Sequence, residues 1–374
     1  MNRSKVPRVV ATINSAALAH NLEVVRRRIS GTSSRIYAVV KADAYGHGLD
    51  NTVAAFAGAD AFAVACMDEA VELRTLDPQS EILVLEGTFD GHELAAAKAG
   101  KLEIVVHADW QLRLLERDGA EGLRRVWIKF DTGMHRLGFA PESAGDVRMR
   151  FAALGIETPG VMSHLACADE PQRDDTARQM AVFATVCEQF PASPASLANS
   201  AGVLLHPDSH LDWVRPGLML YGVSPMSERN GEDYGLRPAM TLSARLLSIQ
   251  NVAAGDSVGY GATWQAPRDC RIGIVSIGYG DGYPWRAATA GEALVCGTRV
   301  PLAGRVSMDM LGVDLSALPK AEVGDEVILW GEGLPVEEVA RTVGTSPYEL
   351  VCRLSRRVPR RNVEQDGAPI EASA

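Results

Sequence analysis

The stretch RIYAVVK, residues 35–41, places five consecutive apolar residues ahead of a lysine. It is rich in Val and Ile and barely alternates with polar residues, a pattern typical of a strand that is buried on both faces. Runs of the same kind recur as far as Gly222. We count eight: Arg35–Lys41, Ala61–Cys66, Glu81–Gly87, Leu102–His107, Val126–Asp131, Gly160–Leu165, Ser196–Ser200 and Trp213–Tyr221.

Segments with a helical apolar pattern lie between these runs, among them Met67–Leu76, Gly91–Ala99, Trp110–Glu116 and Thr176–Phe190. Eight strand–helix repeats over roughly 200 residues predict a (β/α)₈ barrel of the TIM type. A doubly wound sheet is the alternative. It usually has fewer strands and a Gly-rich first turn, which this chain lacks.

The pattern changes from about Met240. Short alternating segments separated by Gly, Pro and Asp predict a second, mainly-β domain. Val9–Ile13 is strand-like and precedes a predicted helix, Ser15–Ile29; since the barrel is already complete, we expect residues 8–13 to join the second domain. The expected domains are the barrel at 14–236 and the β domain at 237–374. The segments are Leu242–Val252, Arg271–Ile277, Glu292–Val295, Met310–Asp314 and Glu326–Trp330.

Composition restricts the classes of function. The chain has 374 residues, with 37 Lys and Arg against 47 Asp and Glu, a net charge of −10. A chain this acidic is a poor candidate for binding nucleic acid. No apolar stretch of ~18 residues predicts a membrane span, and no apolar segment near the N-terminus predicts secretion. Six scattered cysteines indicate reduced thiols in a cytoplasmic protein. No metal site is predicted.

Catalytic groups of a parallel barrel lie where strands end and the following loops begin. Lys41 closes the first run, where an ammonium group is costly to bury. A lysine with a depressed pKa can form a Schiff base with a carbonyl cofactor. A lysine whose charge extends from a strand end to solvent is the alternative.

The stretch KADAYGHG, residues 41–48, resembles the cofactor-lysine signature of alanine racemases, which are fold-type III enzymes dependent on pyridoxal 5′-phosphate (PLP). The resemblance continues, in order and spacing, over nearly the whole chain. It implies PLP as cofactor and interconversion of L-alanine and D-alanine. The similar stretches are Lys129–Gly138, Met162–Ala166, Asn199–Ala201, Val214–Gly222, Gly259–Trp264, Gly278–Gly282 and Ser307–Asp309.

The resemblance implies roles around the cofactor ring. Lys41 would hold PLP. Arg215 would face the pyridine nitrogen, which a permanently charged guanidinium keeps unprotonated. Arg136 would contact the phenolic oxygen and the substrate carboxylate. Lys129 matches a lysine that is often carbamylated, which would give Arg136 a negative partner; a plain strand lysine is the alternative.

Other matching positions imply a cradle for the cofactor phosphate. The hydroxyls of Tyr45 and Ser200 and the backbone of Gly217 and Leu218 would form it, because hydroxyls and backbone N–H groups at a loop suit an anion. Two further residues are expected at the cofactor: Asn199, which could equally be a turn residue, and Tyr221.

Racemisation requires proton removal on one face and delivery on the other. The resemblance implies that Lys41 serves one face and Tyr260 the opposite face. A free tyrosine has a pKa near ~10 and needs help to act as a base near neutrality. His164 is the matching helper, placed to relay charge between Arg215 and Tyr260.

The resemblance also implies a homodimer with shared active sites, because in the family β-domain residues reach the partner's barrel. Met308 and Asp309 would meet the substrate carboxylate, and Tyr279 would narrow the entrance. One position departs from the family: many members have a tyrosine where this chain has Arg356. The hydroxyl of that tyrosine would then be absent, and a charged side chain would lie near the entrance instead.

Three other readings remain. A racemase of broader specificity, also acting on serine, is the nearest. A fold-type III PLP decarboxylase would need an acidic pocket for a long basic substrate, whereas Tyr260 and Tyr279 suggest a short, crowded one. A PLP-carrying barrel without catalysis would lack the β domain. The sequence does not decide between D-alanine supply for peptidoglycan and D-alanine breakdown.

Overall fold

The computed structural model describes residues 7–364, positions 288 and 289 by their backbone only. The last ten residues of the expected β domain, 365–374, lie outside this range. The described chain divides into two compact units. The first comprises Ala19–Ala44 and Thr52–Leu220, and the second comprises residues 7–18, Tyr45–Asn51 and residues 221–364.

The chain begins with strand β1, Val9–Asn14, and helix α1, Ser15–Arg28. The Asn14 side chain accepts a hydrogen bond from the N–H of Ala17 at 3.0 Å, and thereby caps the helix. Three arginines, 26–28, occupy the last turn, where positive charge is favourable.

Eight parallel strands form a closed barrel in chain order, which confirms the predicted TIM-type fold. Each strand pairs with the next, and the last pairs back to the first with Trp213 opposite Arg35. The strands are β2 Arg35–Val39, β3 Ala61–Val64, β4 Ile82–Val84, β5 Glu103–Val106, β6 Arg125–Lys129, β7 Gly160–Met162, β8 Ala195–Ser196 and β9 Trp213–Val214.

All eight predicted strand runs extend past the observed strand ends, and the last two runs continue into helical structure. Ser200 lies in a helix and not at a strand end, and Leu218–Tyr221 is a 3₁₀ turn. Both segments are apolar because they are buried, and Pro216 with Gly217 ends the last strand early. The helices between strands are α2 Lys41–Gly46, α3 Leu49–Val53, α4 Met67–Leu76, α5 Gly91–Ala99, α6 Asp109–Asp118, α7 Ala144–Ala153, α8 Asp175–Glu188 and α9 Ser200–Leu205.

Aromatic side chains fill part of the barrel interior. The rings of Tyr37 and Trp213 stack with centroids 4.0 Å apart. Glu103, which is fully buried, accepts hydrogen bonds from the Tyr37 hydroxyl at 2.5 Å and from Nε1 of Trp127 at 2.7 Å. Gly160 has no room for a side chain, since a Cβ there would lie 2.3 Å from the Trp127 ring. The barrel is therefore a packed core with one hydrogen-bonded carboxyl group.

The second unit is mainly β, as predicted. Its large sheet has the strand order β15-β14-β17-β10-β1-β18, and β13 pairs with β10 and β16. A register shift between Leu246 and Ser248 allows the long strand β10 to pair with β17 along its first half and with β13 along its second. The strands are β10 Met240–Val252, β11 Ser257–Val258, β12 Trp264–Gln265, β13 Cys270–Val275, β14 Glu292–Val295, β15 Thr298–Pro301, β16 Leu311–Asp314, β17 Glu326–Trp330 and β18 Arg360–Val363.

This unit also contains two helices that the sequence analysis did not predict, α10 Val336–Val343 and α11 Pro347–Cys352. Their signals are nevertheless present. Gly344 ends α10 in the left-handed region with φ 69°. Ser346 caps α11 by accepting from the N–H of Tyr348.

Candidate active site

Lys41 lies just beyond the end of β2, where a barrel presents its catalytic groups. The four residues that follow it, 42–45, all have φ between 51° and 54°. The short helix α2 is therefore a left-handed turn, a conformation that costs roughly 1–2 kcal/mol for each residue with a Cβ. Such strain is typical of functional sites, where the surroundings must hold it in place.

Glu69 on α4 holds the start of this turn. One carboxylate oxygen accepts from the N–H of Ala42 at 2.7 Å, and the other accepts from the N–H of Ala65 at 2.7 Å. The sequence alone did not indicate a role for Glu69. Its only signal was an acidic residue in the first turn of a helix, which usually indicates a favourable dipole interaction.

Four basic side chains gather at the strand ends of the barrel. The pKa of Lys129 is lowered to about 8, first by burial and then by the positive charges of Arg215, Arg136 and Lys41. Arg215 is buried and Lys41 and Lys129 are half-buried, whereas Arg136 is exposed. A buried or half-buried cation is costly unless an anion joins it. The structure therefore brings together four of the predicted site residues in an arrangement suited to an anionic ligand.

Arg215 follows β9 and is buried. It donates hydrogen bonds to Oγ of Ser196, to the carbonyl oxygen of Ser163 at 2.5 Å and to that of Leu197 at 3.3 Å. None of these partners is a carboxylate. Burial consequently lowers the pKa of Arg215 to about 10.

His164 follows β7 and contacts Arg215, whose Nη2 lies 3.5 Å from its Nδ1. Burial, followed by the charge of Arg215, holds the pKa of His164 well below its usual range. Gln179 on α8, which the sequence analysis also missed, fixes this loop. It donates to the carbonyl oxygen of His164 at 2.9 Å and accepts from the N–H of Ala166 at 2.8 Å.

Ser200 is buried at the start of α9. Its Oγ accepts from the N–H of Gly217 at 2.9 Å and from the N–H of Met219 at 3.3 Å. The hydroxyl hydrogen is thus directed elsewhere and can be donated to an anion. Leu218 begins the 3₁₀ turn beside it and is fully buried.

Asn199 has the turn role that the sequence analysis left open. Its side chain accepts from the N–H of Gly202 at 3.0 Å, which caps α9, and donates to the carbonyl oxygen of Leu165 at 3.2 Å. These two contacts fix the position of Asn199, which directly precedes Ser200.

The remaining predicted residues belong to the second unit. Tyr45 and Tyr221 are buried and stack with ring centroids 4.8 Å apart. Tyr260 lies in a 3₁₀ turn between β11 and β12 and is 72% exposed. Tyr279 and Met308 are also exposed, and an exposed group of large apolar side chains is typical of an interaction surface.

Asp309 is half-buried, and Arg357 donates to its Oδ1 at 2.6 Å. The segment that carries Tyr279 hydrogen-bonds to the loop that carries Met308 and Asp309, so the structure brings these three predicted residues together. Arg356, the position that departs from the family pattern, is exposed.

Known proteins match both units. Residues 13–225 match the family described as "Alanine racemase, N-terminal domain", and residues 239–362 match "Alanine racemase, C-terminal domain". An alanine racemase of Nitrosococcus oceani is 48% identical over 352 residues, 94% of this chain and 98% of the relative. A protein named "Alanine racemase, biosynthetic" from Escherichia coli strain K12 is 46% identical over 355 residues, again 94% and 98%.

Solved structures agree. The biosynthetic alanine racemase of Pseudomonas aeruginosa matches with a TM-score of 0.91 and 46% identity, covering 96% of this chain and 100% of that one. The alanine racemase of Bartonella henselae, solved with covalently bound pyridoxal phosphate, matches with a TM-score of 0.86 and 29% identity, covering 96% and 100%.

A closed parallel barrel with a lysine, arginines and a hydroxyl at its strand ends, joined to a mainly-β unit, defines a barrel enzyme with an anionic cofactor. The chain belongs to the alanine racemase family. It is an isomerase, and the cofactor of the family is PLP.

The barrel residues fit this cofactor. A lysine amine suits its aldehyde, and Ser200 has a hydroxyl hydrogen to donate to its phosphate. The cations around Lys129 supply the positive charge that a phosphate and a substrate carboxylate require. Along residues 7–364, no helix is long and apolar enough to cross a membrane.

Proposed function

We propose that the protein interconverts L-alanine and D-alanine with PLP held by Lys41, and that Lys41 and Tyr260 exchange the Cα proton on opposite faces. The observation that carries this proposal is the group of cations at the barrel strand ends, in which Lys41, Arg136 and Arg215 all lower the pKa of Lys129. Incubation of purified protein with PLP and L-alanine, followed by chiral chromatography, tests it. D-alanine should form until the two enantiomers are equal; no D-alanine would contradict the proposal.

Bound PLP supplies an electron sink for the charge left when the Cα proton is removed. Ser200 would donate to the phosphate, supported by its two backbone N–H contacts. Arg215 would face the ring nitrogen and, because it stays protonated at neutral pH, would act there as a donor. Arg136 binds the substrate carboxylate, where a guanidinium forms paired hydrogen bonds. The other cofactor residues we propose are Tyr45, Asn199, Gly217, Leu218 and Tyr221.

His164 assists the second base as a neutral imidazole. Because a guanidinium only donates, Nδ1 accepts from Arg215 and the ring proton lies on Nε2. The lowered pKa of His164 supports this state at neutral pH. The Nε2–H of the neutral ring would donate a hydrogen bond to the Tyr260 oxygen and favour its phenolate form, and the ring itself would carry no positive charge.

Lys129 is proposed to carry a carbamate. Only a neutral amine attacks CO₂, forming an N–C bond and releasing one proton. A pKa of about 8 leaves roughly a tenth of this side chain neutral at pH 7, far more than for an ordinary lysine. The carbamate would give Arg136 an anionic partner.

The active form is proposed to be a homodimer. Tyr260, Tyr279 and Met308 are large apolar side chains exposed on the second unit, and a second copy of the chain would cover them. Met308 and Asp309 would then meet the substrate carboxylate of the partner's site, and Tyr279 would narrow its entrance.

The cellular role is proposed from relatives named as biosynthetic: supply of D-alanine for peptidoglycan. Five cysteines are free thiols, which supports a cytoplasmic location: Cys66, Cys167, Cys187, Cys270 and Cys296. We retain 14–236 and 237–374 as domain boundaries. Serine, tested beside alanine in the same assay, decides the breadth of specificity.

A further inference from the structure

Two exposed segments of the second unit form one surface. The N–H of Tyr279 donates to the carbonyl oxygen of Ser307 at 3.0 Å, and the N–H of Gly280 donates to that of Met308 at 2.9 Å. Gly278 permits this approach, because a Cβ there would lie 2.2 Å from the Ser307 oxygen. We name residues 278–282 and 307–310 the platform. It carries three proposed substrate residues.

Asp281 is the residue of the platform whose side chain accepts the most hydrogen bonds in the described structure. Its side chain is fully buried. Oδ2 accepts from the N–H of Gly278 at 3.0 Å, and Oδ1 accepts from Arg8 at 2.5 Å and from Nε of Arg357 at 2.7 Å. A buried carboxylate requires such cationic partners. Because the Asp281 carboxylate is held in place, the hydrogen bond it accepts from Nε of Arg357 fixes the position of the Arg357 guanidinium.

The same guanidinium reaches the other segment. Nη2 of Arg357 donates to Oδ1 of Asp309 at 2.6 Å. Both carboxylates raise the pKa of Arg357. A planar guanidinium can bridge two acids with separate N–H groups, which the compact ammonium of a lysine cannot do with the same geometry.

The contact of Arg357 with both Asp281 and Asp309 offsets a repulsion between negative charges. On the proposed function, Asp309 lies where the substrate carboxylate binds, and two neighbouring carboxylates repel each other. We propose that Arg357, held by Asp281, is a positioning residue: it neutralises Asp309 and fixes the 307–310 loop, so that the platform accepts the carboxylate group of the substrate. This inference rests on the proposed function and adds Arg357 and Asp281 to its specificity determinants.

Kinetics with L-alanine test the inference. In Arg357→Ala, KM should rise roughly tenfold while kcat changes less than about threefold, because substrate binding is weakened more than the chemical step. Adding Asp309→Asn should bring KM back toward the wild-type value, since the repelling charge is gone. Arg353→Ala, which removes an exposed arginine paired with Glu349, is the control and should leave both constants unchanged.

Two results overturn the proposal: an unchanged KM in Arg357→Ala, or a double variant with a KM as high as that of the single variant. Should Arg357→Ala not fold, Arg357→Lys replaces it, with an intermediate rise in KM expected and an unchanged KM contradicting the proposal.

Hydrogen exchange separates this inference from the proposed function. In Arg357→Ala or Arg357→Lys, the amides of residues 278–282 and 307–310 should exchange faster than in the wild type, whether or not the protein racemises alanine. Unchanged exchange in both segments overturns the inference. A wild-type protein that forms no D-alanine overturns the proposed function instead.

Discussion

Nη2 of Arg215 lies 3.5 Å from Nδ1 of His164, with the guanidinium as the donor. Four positive groups and burial disfavour a charge on this imidazole, and burial is the largest cause of its lowered pKa. The barrel thus keeps His164 neutral beside a permanent cation. A neutral ring in this position can donate a hydrogen bond from Nε2.

We expect Arg215→Gln to raise the pKa of His164, because it removes the largest charge contribution. The pKa should stay below its ordinary value, since burial remains. NMR titration of the ring nitrogens in histidine-labelled protein measures this shift. Arg173→Gln, at an exposed arginine paired with Asp175, is the matched control and should not move the titration. An unchanged titration in Arg215→Gln would show that the charge of Arg215 does not act on the ring.

Glu69→Gln should destabilise the turn that follows Lys41. An amide can accept from only one of the two N–H groups, at Ala42 and Ala65, and places a donor against the other. Loss of one hydrogen bond to a charged acceptor costs about 1–3 kcal/mol. Urea unfolding measures this free energy, and Glu72→Gln on the exposed face of α4 is the control. Equal stability of the two variants would contradict the role of Glu69.

The lowered pKa of Lys129 predicts a pH-dependent stability. The folded state releases this proton near pH 8, whereas the unfolded chain holds it to about pH 10.5. Between these values the unfolded state binds more protons, so the free energy of unfolding rises with pH. In CO₂-depleted buffer, the stability difference between wild type and Lys129→Gln should grow in favour of the wild type across this window. A constant difference would contradict the shift.

The pattern of apolar residues along the chain predicts the strands and the residues at their ends. Eight apolar runs predict the barrel, and Lys41 could be located at a strand end because parallel strands share one catalytic edge. Pro216 and Gly217 end β9 earlier than the apolar pattern suggests. Leu218–Tyr221 is apolar because it is buried in a 3₁₀ turn, and not because it forms a strand.

Contacts from distant elements are not visible in the sequence. Glu69 and Gln179 are ordinary polar residues on amphipathic helices, and only the fold places them against the loops after β2 and β7. The same holds for Arg357, because the residues near it in the sequence do not indicate that it contacts both Asp281 and Asp309.

A shared active site predicts complementation between two inactive variants. Lys41→Ala and Tyr260→Ala should each lose nearly all activity. After subunit exchange, about half of the dimers are mixed, and each mixed dimer has one intact site, so about a quarter of wild-type activity should return. Mass spectrometry confirms exchange. Activity that stays near zero after confirmed exchange would mean that each site is built within one chain.

Borohydride reduction identifies the lysine that holds the cofactor. Reduction of the PLP-loaded protein converts the C=N bond to a stable amine, which peptide mapping then locates. We expect the phosphopyridoxyl group on Lys41, none on Lys129, and no labelling above background in Lys41→Ala. A label on another lysine, or a wild-type protein that takes up no PLP, would show that Lys41 does not hold the cofactor.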